Sequence, residues 1–165
     1  MNKSTLYLET TVPSYLAARP SRDIVVQAHQ QITWDWWNSC REDYEIYISE
    51  IVLKEIAGGD QKAAERRYEF VKDLEILDIS EDVRQLGSDL AAFLRLPKRA
   101  EMDALHLSFA TEYELDYLLT WNCAHLANGR VMHRLKKFES EQSRVVPVII
   151  TPEELMIGDY GNEMD

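Results

Sequence analysis

Thr5-Leu6-Tyr7-Leu8-Glu9-Thr10-Thr11-Val12-Pro13 decides how this chain is read. A short apolar strand runs straight into a carboxylate. Two threonines able to cap a helix follow, and a proline fits that helix's first turn. The pattern recurs downstream, where Tyr117-Leu118-Leu119-Thr120 reads as a second buried strand ending at Trp121-Asn122. In an open parallel sheet, ligands bind in the crevice outside the carboxyl ends of the strands. Both strands therefore deliver a polar side chain to the place where an α/β protein does its chemistry.

Outward from these two strands, strand and helix signals alternate, the mark of an α/β fold with a parallel sheet. A first helix runs to about residue 18 and breaks at Arg19-Pro20-Ser21. A longer helix covers about residues 23–41, with Ile24, Val25, Ala28, Ile32, Trp36 and Cys40 near helical period. Residues 44–48 alternate as a strand. Ser49 or Glu50 opens a helix that stops at Gly58-Gly59, and Asp60 opens another to about residue 74. Residues 75–79 read as strand three, and Ser80 caps a helix to about residue 96. After Pro97, residues from about 99 to 114 are helical and strand four is 116–120. A long helix is expected over about 124–140. Residues 147–150 form strand five, with a short helix after Thr151-Pro152. One domain over residues 1–157 and a short acidic tail over 158–165, frayed at its end, complete the expected organisation.

The 165 residues suffice for one domain with a real core. No apolar run reaches the ~18 residues of a membrane span, and the N-terminus leads directly into a strand. A cytoplasmic protein without membrane association is the expectation. Cys40 and Cys123 have neither disulfide-framework nor metal-ligand spacing and are read as buried or idle thiols. The net charge of −11 excludes an overall basic footprint. Nucleic acid would be bound only through metal ions or local basic patches. Two such clusters stand out: Arg95, Lys98 and Arg99, then Arg130, His133, Arg134, Lys136 and Lys137. They either steer a phosphate backbone or form a solvated helix face complementing its own C-terminal dipole.

Four residues are candidates for chemistry: Glu9, Glu55, Asp103 and Asn122. Hard oxygen donors from separate elements suit Mg2+ or Mn2+. Carboxylates gathered without a cation would repel one another. A metal there would polarise a scissile phosphate and activate a water for in-line attack. Each residue also has a structural reading. Glu9 can cap the following helix, Asp103 can complement a helix dipole, and Asn122 can end a strand as a turn residue. Glu50 competes with Glu55 but reads as a first-turn acid. His106, one turn from Asp103, reads as a packed, hydrogen-bonded histidine, and His125 similarly. Thr120 can hydrogen-bond a metal ligand. Trp34, Trp36 and Trp37 span two helix faces, so core packing plus a partly exposed ring stands beside an oligomer or partner-protein surface.

Four segments carry a family resemblance. Leu8-Glu9-Thr10-Thr11-Val12-Pro13-Ser14-Tyr15-Leu16 resembles the opening strand and helix of a PIN domain, as in VapC-type toxins. Residues 48–56, 102–110 and 118–122 resemble the second, third and fourth acidic motifs, carrying Glu55, Asp103 and Asn122. The resemblance spans about residues 5–152. It implies a Rossmann-like three-layer sandwich around about five parallel strands. It further implies a Mg2+- or Mn2+-dependent endoribonuclease, the toxin of a type II toxin–antitoxin pair, held in check by an antitoxin protein and acting as a homodimer. Glu9 and Asn122 stand where the family usually has Asp. The extra methylene of Glu9 still reaches a metal, whereas the neutral amide of Asn122 cannot help neutralise a second cation. One well-held metal, with a weak second at most, is therefore expected. The alternative is a PIN-fold binding or regulatory module with weakened catalysis.

Overall fold

Ser4–Leu8 forms β1, and Leu6, Tyr7 and Leu8 are all fully buried. A strand covered on both faces is a central strand of a parallel sheet, which is why this segment is apolar without alternation. The computed structural model describes residues 2–160. Thr11–Ala17 forms α1, and Ile24–Ser39 forms α2, capped by Asp23 through the amides of Val25 and Val26. Tyr44–Ser49 is β2, and Ser49 caps α3, Glu50–Ile56. Asp60 caps α4, Gln61–Val71. Glu75–Leu77 is β3, and Ser80 caps α5, Glu81–Phe93. Glu101–Glu112 is α6, Tyr117–Leu119 is β4, Gly129–Gln142 is α7, Val148–Ile150 is β5 and Pro152–Tyr160 is α8.

All four strand pairings are parallel, in the order β3-β2-β1-β4-β5. Connections leave β1 towards β2 and β3 on one side and reach β4 and β5 on the other. The order reverses between β1 and β4, so the C-terminal ends of these two strands flank a topological switch point, where such folds bind ligands. Helices cover both faces, giving the expected three-layer α/β sandwich. Helix α5 packs extensively against α6. Gly87 lies in this contact: a β-carbon there would lie 3.4 Å from Leu105 Cδ1 and from Ser108 Oγ, a close but tolerable fit.

Several boundaries differ from the sequence reading: α4 ends at Val71 and α5 at Phe93, each about three residues early. β3 stops at Leu77, two residues early, where the Ile79 amide turns to the Glu50 carboxylate. The helix expected from about residue 124 begins at Gly129. Asn122 accepts the His125 amide on its side chain and the Leu126 and Ala127 amides on its backbone carbonyl, folding residues 122–127 into a turn instead. Asn128 is the true cap, through the Val131 amide. Of the two cysteines Cys40 is buried and Cys123 exposed. Trp36 and Trp37 are buried, while Trp34 is partly exposed and packs edge-on against Phe70. Helix α8 reaches Tyr160; the expected frayed end, residues 161–165, lies outside the described residues.

Candidate active site

Glu9 follows the last residue of β1, and its amide still bonds Leu119 of β4 at 3.1 Å. Its side chain is 4% exposed, so its charge needs donors. Three converge on Oε2: the Thr11 amide at 3.0 Å, Thr11 Oγ1 at 2.5 Å and Thr120 Oγ1 at 2.7 Å. The two hydroxyls are themselves held, since the Trp121 amide donates to Thr11 Oγ1 and the Asn122 amide to Thr120 Oγ1. Glu9 thus stitches the start of α1 to the end of β4 across the switch point. Behind it Trp121 is locked, with Nε1 donating to Thr33 and its ring stacked on His29 at 4.1 Å.

Glu55 reaches the same edge from α3. Its Oε1 accepts from Thr10 Oγ1 at 2.9 Å and from His106 Nε2 at 2.5 Å. His106 is 1% exposed. Its Nδ1 shares a 2.7 Å hydrogen bond with the Tyr7 hydroxyl, which is bonded in turn to Ser49 Oγ at 2.8 Å. Burial disfavours charge on both members of the Glu55–His106 pair, but the hydrogen bond between them prevails. His106 is held above its ordinary pKa and Glu55 below its own. Burial pushes the Tyr7 hydroxyl well up, so it stays protonated and able to donate. Glu50 points elsewhere, accepting the Ile79 amide at 2.8 Å.

Asp103 lies in the first turn of α6, a favourable end of the helix dipole for a carboxylate. Its Oδ2 is 2.9 Å from Nδ1 of His125, whose amide is in turn held by Asn122 Oδ1 at 3.1 Å. This pair is half-buried, with side-chain exposures of 18% for Asp103 and 21% for His125. Asn122 does serve as a turn residue, although a carbonyl oxygen keeps a second lone pair.

All four expected residues therefore sit on the switch-point edge, and each acid is oriented through one oxygen: Glu9 Oε2, Glu55 Oε1 and Asp103 Oδ2. Among the described residues no three His, Cys, Asp or Glu side chains stand close enough to hold one metal ion between them. The donor chemistry suits a hard divalent cation, whereas the spacing does not suit a shell closed by protein. Magnesium commonly keeps several waters and takes only one or two carboxylates. The residues fit a cation of that kind.

Sequence reasoning missed Tyr7, Ser49, Thr10 and Thr11 as parts of this edge. Thr10 and Thr11 were visible only as helix-start residues. Tyr7 carried no signal, because a strand buried on both faces shows no alternation.

No family model matches the chain, and no curated protein matches it. Solved structures do. VapBC2 from Rickettsia felis, bound to a DNA fragment from its promoter, matches with a TM-score of 0.55 and 16% identity, over 89% of this chain and 98% of that one. A toxin–antitoxin complex from Klebsiella pneumoniae matches with a TM-score of 0.55 and 19% identity, over 90% and 98%. VapC20 from Mycobacterium tuberculosis, a Sarcin-Ricin loop cleaving toxin, matches with a TM-score of 0.59 and 12% identity, over 75% and 95%. The fold is that of a VapC-type PIN domain. Among the described residues no helix is long and apolar enough to cross a membrane.

Proposed function

We propose that this chain is a metal-dependent endoribonuclease, the toxin of a type II toxin–antitoxin pair. The observation that carries the proposal is that three acids, one just after β1 and the others on α3 and α6, lie along the switch-point edge, each with one oxygen fixed by a hydroxyl or an imidazole. The likeness to toxin–antitoxin structures supports the same reading. One or two of Glu9, Glu55 and Asp103 would hold Mg2+ or Mn2+ directly, with the remaining acid reached through water and Asn122 contributing directly or through water. When bound, the cation supplies Lewis acidity to the phosphate and to a water. The protein's own part is orientation. Thr11 and Thr120 fix Glu9, His106 and Thr10 fix Glu55, and His125 fixes Asp103, so that one oxygen of each acid is held by the protein. An antitoxin partner, RNA as substrate and a homodimeric toxin belong to the same proposal.

The test is cleavage of RNA by the purified chain with magnesium, manganese or EDTA. Cleavage that needs metal and disappears in Glu9→Gln and Asp103→Asn is expected. Cleavage that survives EDTA or both substitutions overturns the mechanism.

One observation favours a second reading, a PIN-fold binding module without catalysis: no three acids close a shell among the described residues. Manganese titration by calorimetry separates the two. Binding that is lost in Asp103→Asn supports the nuclease, whereas a folded wild-type protein that binds no manganese supports the module.

A further inference from the structure

Helix α7 carries Arg130, His133, Arg134 and Lys137 at i, i+3, i+4 and i+7, one continuous face. The opposite face is the anchor: Val131, Leu135 and Phe138 are buried. Arg95, just past the end of α5, joins the stripe from the side. Arg95, His133, Arg134 and Lys137 line a cavity of about 500 Å³, where Glu141 is the one acid. Arg134 is fixed by a 2.8 Å hydrogen bond from Nη1 to the Leu94 carbonyl. Among the described residues Arg95, Arg130, His133 and Lys137 form no ion pair.

This stripe does not serve its own helix. No basic residue lies in the last turn of α7, where the dipole would favour one. Arg130 sits in the first turn, where the dipole opposes it. Like charges at i and i+4 cost a helix about 0.2–0.5 kcal/mol per pair. The chain has 29 acids against 18 Lys and Arg, so counter-charges are plentiful, yet Glu141 is the one acid lining this cavity. A self-repelling cationic stripe on an acidic protein points to an anionic ligand.

Its placement says which. The loop that ends in the Asn128 cap of α7 also holds Asn122 and His125, and Arg130 lies two residues after that cap. From there to Lys137 the helix runs roughly 10 Å. Cations step along it about 5–6 Å apart, a spacing suited to successive phosphates of an extended strand. We propose that the α7 stripe, with Arg95, binds the phosphate backbone of single-stranded RNA and leads the strand away from the switch-point cleft. The proposal rests on the nuclease reading and names how that site takes its substrate.

The test is fluorescence anisotropy with the full chain and a short mixed-sequence single-stranded RNA in EDTA, between about 50 and 200 mM salt. The double variant Arg130→Gln/Lys137→Gln is expected to bind about tenfold more weakly at low salt. Its slope of log affinity against log salt should flatten by ~0.7 for each cation removed. Arg95→Gly keeps the left-handed backbone of this residue, φ 56°, at no steric cost. It should weaken RNA binding while raising the melting temperature, a pair of signs that a folding defect cannot produce. Lys62→Gln, on α4, is the control. Unchanged affinity and slope in the double variant overturn the proposal, as does a wild-type chain that binds polyglutamate but not RNA. If wild type cleaves RNA and the stripe variants do so with unaltered KM, the stripe falls and the nuclease stands. If stripe variants lose RNA binding while wild type never cleaves, the stripe stands and the nuclease falls.

Discussion

The switch-point edge contains two acid–histidine pairs that differ mainly in burial. Glu55–His106 joins α3 to α6, and its histidine is 1% exposed. Asp103–His125 joins α6 to the loop after β4, with both partners near 20% exposed. The chemistry is the same, but the consequences diverge. The His106 ring has both nitrogens engaged inside the protein, by Glu55 and by Tyr7, so it cannot touch a substrate. The ring of His125 reaches solvent beside the cleft. Burial turns one imidazole into a beam of the fold and leaves the other as an adjustable part of the site.

Removing the beam should have the largest effect. His106→Gln leaves the Glu55 carboxylate and the Tyr7 hydroxyl without their shared partner. Breaking a buried pair costs about 3–5 kcal/mol. Because Glu55 is itself 35% exposed, solvent screens part of this loss, and about 2–4 kcal/mol is the expectation. Urea denaturation in EDTA measures it, and His125→Gln is expected to lose under about 1 kcal/mol in the same experiment. Equal losses would break the comparison.

The Tyr7 end of the chain gives a smaller effect. Tyr7→Phe keeps the ring, which stacks on Phe109, and removes only the hydroxyl bonded to His106 and Ser49. A buried polar group deprived of its partner costs about 1–3 kcal/mol. The loss should shrink in a His106→Gln background, because the two residues share one network. Strict additivity in that double-mutant cycle would show that the network is two independent contacts.

The pH dependence of the buried pair has a definite sign. The raised folded pKa of His106 gives stability that is complete below its ordinary value of 6.5 and is lost as pH rises through the folded value. The lowered folded pKa of Glu55 gives stability present above 4.5 and lost as pH falls through the folded value. The advantage of wild type over His106→Gln in EDTA should therefore peak between about pH 4.5 and 6.5 and narrow on both sides. A gap that widens steadily from pH 6.5 to pH 9 would show that His106 is held neutral.

Legibility followed locality. Glu9 and Asn122 were readable because each ends an apolar run. Glu55 and Asp103 needed the family resemblance, since a helical acid near an N-terminus is ordinary. The α7 stripe was visible as a basic cluster, but its meaning depended on where the helix begins. Expecting the start near residue 124 placed Arg130 in mid-helix, and the Asn122 turn moved it to the first turn. Of the buried beam, His106 was readable as a packed, hydrogen-bonded histidine, but its partners were not. Tyr7 and His106 are 99 residues apart, and neither the uniform burial of β1 nor the apolar run around His106 marks the facing pair.

The exposed pair should show the smallest change in stability and a separate change in function. His125→Gln removes a ring that holds Asp103 Oδ2 but leaves Asn122, the loop cap and the α6 helix in place. If Asp103 takes a cation, loss of the partner that aims it should lower manganese affinity about 10- to 100-fold. The same substitution should move the urea midpoint hardly at all. Calorimetry and denaturation on one protein sample therefore read the two roles apart. His106→Gln should fall mainly in the denaturation and His125→Gln mainly in the titration. Unaltered manganese affinity in His125→Gln, with wild type binding normally, would mean that the exposed pair only packs the loop and that burial does not divide the two histidines by role.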